Sequence, residues 1–127
     1  MEDSILKTIR KMILGIPINS QSETEGASFD TDLIIHINTA LAELTQLGVG
    51  PEGGFFITDE SSKWSDFIGT EPKEECHEMV KTYVYLKTRL LFDPPQNSSA
   101  VDQMTKSKDE CGWRLCEAYE HTSKEQS

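Results

Sequence analysis

The chain has 127 residues, 36% of them hydrophobic and 27% charged, with a formal net charge of -10. That length fits one domain able to bury about two-thirds of the surface its unfolded form exposes, and the modest apolar fraction suits a subunit that finishes burying itself against neighbours. No segment clusters the Lys and Arg that displace counterions from phosphates, which excludes a basic grip on nucleic acid and argues equally against adsorption to anionic membranes.

The cysteines, Cys76, Cys111 and Cys116, are odd in number and cannot all pair within one chain. With no secretory-type leader and no apolar run of about 18 residues, the chain reads as cytosolic and reduced.

Helical spacing of Ile5, Ile9, Met12 and Ile13 predicts a short core helix from about Asp3 to Leu14. Glu2 and Asp3 at its start, and Lys7, Arg10 and Lys11 toward its end, match the helix dipole; Gly15 and Pro17 stop it. The basic trio is read as a solvent face in preference to a phosphate patch. Residues 18–28, rich in Ser, Thr, Asn, Gln, Glu and Gly, are expected to form a mobile connection.

A second helix is expected from Thr31 to about Leu47, capped by Asp30 or Thr31, with Ile34, Ile37, Leu41 and Leu44 along its apolar face and Leu33, Ala40 and Leu47 flanking it. His36 has no carboxylate or Cys at ligand spacing and is read as an ordinary half-exposed imidazole. Gly48 ends the helix in a left-handed conformation. The glycine-rich run that follows lacks the Gly-Lys-Ser/Thr ending of a phosphate loop and follows a helix when phosphate cradles lead into one, so its task is to reverse the chain.

Phe55 to Thr58 and Lys63 to about Ser65 read as two short strands around the turn 59–62. A lone two-stranded hairpin is marginal in water, so Phe55, Phe56, Trp64 and Phe67 must pack on a helix of the same chain or on another subunit. Asp59, Glu60 and Asp66 are assigned to turn and cap positions ahead of a magnesium cluster.

Lys73 to Phe92 forms the third long element, with Met79, Val80, Tyr83, Val84, Leu86, Leu90 and Leu91 covering more than half of its circumference, as befits the middle of a bundle; Asp93-Pro94-Pro95 ends it. The last helix begins near Asn97 or Ser98 and runs to about Tyr119, its thin stripe of Val101, Met104, Cys111, Leu115 and Ala118 interrupted by Lys108. Gly112 costs about 1 kcal/mol relative to Ala, so the final turns are expected to bend or fray and to order on a partner. Trp113 falls off the stripe and is expected at the surface, and His121 to Ser127 reads as a disordered tail. Cys111, Cys116 and His121 advance by about 140° per step of five, which separates them too widely for a zinc site.

Four stretches, Asp30-Thr31-Asp32, Gln46 to Pro51, Trp64 to Phe67, and Val80 to Tyr83 continuing through Leu91 to Pro95, closely resemble the small head-tail connector, or adaptor, proteins of tailed double-stranded-DNA phages. The resemblance implies an all-α, four-helix bundle-like domain over residues 1–115, with a small β-hairpin between the second and third helices and a flexible polar tail over 116–127. It implies a ring of about a dozen head-to-tail subunits beneath the portal protein, extending the DNA channel and offering a docking surface to a head-completion, stopper or tail protein. The place so implied is the head-tail interface of the virion, reached by assembly in the host cytoplasm. An acidic wall suits such a channel, because DNA passes it without specific binding.

No catalytic residue, cofactor or metal is expected, since His36, His77 and His121 stand in unrelated segments without nucleophile or carboxylate partners. The expected protein-interface residues are Phe55, Phe56, Trp64, Phe67, Trp113, Leu115 and Tyr119. The same net charge of -10 motivates one alternative from another class, a small acidic regulatory binder such as a DNA-mimic inhibitor.

Overall fold

A computed structural model describes residues 4–15, 29–51, 53–69 and 74–126, with the side chains of Glu74 and of residues 119–126 outside that description. The described residues contain five helices: α1 (Ile5–Leu14), α2 (Asp30–Gln46), α3 (Trp64–Ile68), α4 (Glu74–Phe92) and α5 (Ser98–Gln126). The expected connection 18–28 lies outside the described residues.

α1 starts at Ser4, whose hydroxyl accepts the Lys7 amide at 3.3 Å, and ends at Gly15, where φ is 71°. It buries Ile5, Leu6 and Ile9 and leaves Met12 exposed, so the inward face is narrower than the apolar spacing implied. α2 buries Leu33, Ile37, Ala40, Leu41 and Leu44. Beyond it the Val49 amide donates back to the Leu44 carbonyl at 2.9 Å, tucking the buried Val49 under the helix end.

α4 touches each of the other four helices, the central position its broad apolar face requires. It runs antiparallel to α2, since Phe29 meets Phe92 at one end and Glu43 meets Tyr83 further along. α5 folds back along it, capped by the Asn97 side chain, which accepts the Ser99 amide at 2.7 Å. The Cys111 thiol of α5 then reaches the Met79 carbonyl of α4.

The expected β-hairpin is absent: no strand occurs among the described residues, and the only bridge-type pairing there joins Ser4 to Lys63. Both would-be strands have other partners. The Asn38 side chain, half-buried on α2, accepts the Ile57 amide at 2.7 Å and donates to the Ile57 carbonyl at 2.9 Å, which occupies the two groups a facing strand would use. Trp64 onward is helical, because the Asp66 carboxylate accepts the Lys63 amide at 2.8 Å and closes the first turn. Ser62 meanwhile accepts the Ile5 amide, and Trp64 Nε1 donates to Thr8 Oγ1 at 3.2 Å, fastening α3 to α1.

Arg10 also departs from its expected solvent face, with only 3% of its surface exposed. Its guanidinium grips Asp30 through 2.8 and 2.9 Å contacts to the two carboxylate oxygens and lies 3.8 Å from Glu60. Asp30 therefore serves as the anchor between α1 and α2 and makes no side-chain cap, that position falling to Phe29. Gly112 likewise has a role that propensity hides. A Cβ there would stand 3.0 Å from Tyr83 Cε2 and 3.2 Å from Leu47 Cδ1, so the missing side chain eases the approach of α5 to α4 and to the end of α2.

Candidate functional site

The expected interface residues divide sharply by burial. Trp64, Phe67 and Leu115 belong to the core of this chain, with Leu115 fully covered. Phe55 is half-buried and meets Phe67 edge to face, ring centroids 5.6 Å apart. Behind Phe67 stands Gly50, with φ 97° and no room for a Cβ, which would fall 2.5 Å from Phe67 Cε1. By contrast Phe56 is 70% and Trp113 61% exposed. The side chain of Tyr119 lies outside the described residues. Burial thus assigns Trp64, Phe67 and Phe55 to positioning the segment from which Phe56 projects, and Leu115 to seating the helix that carries Trp113.

A polar network binds α2, α4 and α5 beneath these surfaces. The Tyr83 hydroxyl donates to Glu43 Oε1 at 2.6 Å, Lys87 Nζ meets Glu43 Oε2 at 2.9 Å, and Lys108 Nζ sits 5.4 Å from the centre of the Tyr83 ring. Burial raises the Glu43 pKa, but the hydrogen bonds from Tyr83 and Lys87 and the charges of Lys87 and Lys108 outweigh it, leaving the carboxyl below its ordinary value of 4.5. Burial first, and then the bond to Glu43, push the Tyr83 phenol far above its ordinary value of 10.0. A phenol whose folded pKa is raised contributes stability that is complete below its unfolded pKa and is lost as pH rises through the folded one. In the folded protein Tyr83 should therefore stay protonated well above the ordinary pH of phenol ionisation. Glu43→Gln should shift the ionisation of Tyr83, followed by a label on that ring, to lower pH; a Tyr83 that ionises at its ordinary value in the folded wild type would contradict the network.

The remaining polar groups go separate ways. Asp59 accepts the Ser61 amide at 2.8 Å within its own turn, Glu60 faces Arg10, and Asp66 caps α3. Among the described residues no group of three His, Cys, Asp or Glu is placed to hold a metal. Cys111 donates its thiol to the Met79 carbonyl at 3.0 Å, and burial pushes its pKa up, the reverse of what a nucleophilic thiolate needs. The shallow, open hollow beside it, lined by Met79, Ser107, Glu110, Cys111 and Arg114, has Glu110 and Arg114 paired at 2.7 Å. His36 stands edge-on to Phe92 with ring centroids 6.4 Å apart.

Elsewhere on α4, Tyr85, partly buried against the core, accepts a 3.0 Å hydrogen bond from Arg89 Nη1. That bond, followed by the charge of Tyr85 and then Asp93, holds the guanidinium pKa above its ordinary value. The partners of Arg10, Asn38, Glu43 and Arg89 all escaped the sequence reading. Two signals were present: an Asn in mid-helix, where its side chain competes with the backbone, and Tyr83 and Lys87 one turn apart.

Phe56 and Trp113 thus project from a bundle whose other large side chains are mostly packed inward. A family model described as "Phage connector protein" matches residues 5–122, nearly the whole chain. No curated protein and no solved structure matches. No helix among the described residues is long and apolar enough to cross a membrane.

Proposed function

Because the chain belongs to the phage connector protein family, a structural group of virion components, we propose that it forms a closed ring under the portal of a tailed phage. There it extends the channel for DNA and gives the next head-completion, stopper or tail protein its docking surface. The family match over residues 5–122 carries this reading. Two properties of the chain support it. A net charge of -10 lets DNA slide past without being held, and Phe56 and Trp113 are large apolar side chains exposed to an extent that assembly would relieve.

Disabling the gene in the phage tests the role. Heads should still fill with DNA but fail to join tails, and adding the purified protein to those heads should restore attachment. Tailed, infectious particles formed in its absence would overturn the proposal.

A further inference from the structure

α5 turns a tryptophan away from the bundle. Cys111, Gly112 and Leu115 point inward and are buried, which sends Trp113 outward, 61% exposed. The positions that border it on the helix surface, three and four residues away, are Asp109, Glu110, Cys116 and Glu117. Three of those four are carboxylates, and all three are exposed. Asp109 meets Lys108 at 2.9 Å and Glu110 meets Arg114 at 2.7 Å, yet a carboxylate has about four lone-pair sites, and ion pairs at the surface hold weakly. Lys108 itself leans inward, over the Tyr83 ring.

The face of an indole is electrostatically negative and attracts a cation more strongly than the other aromatic side chains do; the planar guanidinium of arginine also stacks on it. Carboxylates one turn above and one turn below the ring add to that attraction. The same carboxylates oppose an anionic partner, and an apolar partner would have to strip them of water. The net charge of the chain acts in the same direction: at -10 it draws a basic surface and repels both DNA and a second copy of itself.

We propose that the outer face of α5 at Trp113, bordered by Asp109, Glu110 and Glu117, receives an arginine side chain from a basic surface of a different virion protein, the guanidinium stacking on the indole and pairing with the carboxylates beside it. The inference rests on the connector reading above and gives its docking surface a chemistry.

The test is co-sedimentation of the full-length wild type, Trp113→Leu, Trp113→Phe and Glu117→Lys with DNA-filled heads made without this protein, over a range of salt concentrations, with circular dichroism as the check on folding. Both side chains are exposed, so the variants should fold as the wild type does. Trp113→Leu, which keeps an apolar side chain but no ring, should weaken attachment about tenfold or more, and Trp113→Phe should fall between. Glu117→Lys should weaken it about tenfold at low salt and less as salt rises. If the wild type attaches and Trp113→Leu attaches equally well, this contact is wrong and the connector reading stands. Weak attachment of Trp113→Leu with no effect of Glu117→Lys at any salt concentration would mean that the ring meets an apolar surface, and would overturn the proposal. A wild type that does not attach to the heads at all would remove both.

Discussion

Ending the chain before Cys111 should unfold it, whereas ending it after Ala118 should leave the helical signal and the denaturation midpoint close to those of the full chain. α5 is fastened to the bundle by Cys111, Gly112 and Leu115, all buried, and by Lys108 over the Tyr83 ring. Removing a fully buried leucine side chain alone costs about 2–5 kcal/mol, and the shorter truncation also strips the cover from Tyr83 and Leu47. Against a total stability of about 5–15 kcal/mol, that loss is decisive. This reverses the expectation from sequence that the turns after Gly112 are loosely held. Circular dichroism with urea denaturation of the two truncations makes the comparison; a cooperative, fully helical protein ending before Cys111 would show that α5 is dispensable to the core.

Phe67→Ala and Phe56→Ala should separate folding from assembly. Phe67 fills the space between Gly50, Phe55 and the helices, so its truncation should cost about 3–5 kcal/mol of stability. Phe56 is 70% exposed, and its loss should change stability by no more than about 0.5 kcal/mol. If Phe56 meets a neighbouring protein, its alanine variant should fold normally yet attach poorly to portal-bearing heads. Equal destabilisation by the two substitutions would contradict the burial pattern, and full attachment of Phe56→Ala would remove that ring from the contact.

The long helices were legible because their signals are local. In α2 the apolar residues recur at helical spacing and Gly48 ends the run, while in α4 the wide apolar face announced a helix with neighbours on several sides, and Asp93-Pro94-Pro95 closed it. The all-helical class follows from those periods. The hairpin misled because stretches of three or four residues with aromatic character do not distinguish a strand from an extended crossing. What settles Ile57 is Asn38, nineteen positions away, a distance over which no period or propensity speaks. Arg10 was misread for the same reason: its partner Asp30 lies across residues that carry no core pattern.

The aromatic cluster was visible as composition, but its sorting into core and surface was not. Phe55 and Phe56 are neighbours in sequence and differ only in the direction an extended chain gives successive side chains. Gly112 is the clearest case of a residue whose local propensity points one way and whose packing points the other. As a helix residue it is a weak point, while at the site where Tyr83 and Leu47 come close an added Cβ would push those side chains back by a few tenths of an ångström. Trp113 beside it was placed correctly off the stripe, because the direction of a helical side chain follows from position once the buried face is known.

The most direct test of the connector role is light scattering coupled to size exclusion of the purified chain mixed with its portal protein. The account requires a single species larger than portal alone, with about a dozen added copies of this chain, in keeping with a closed ring of head-to-tail contacts. Portal and folded chain eluting separately at every mixing ratio would contradict it.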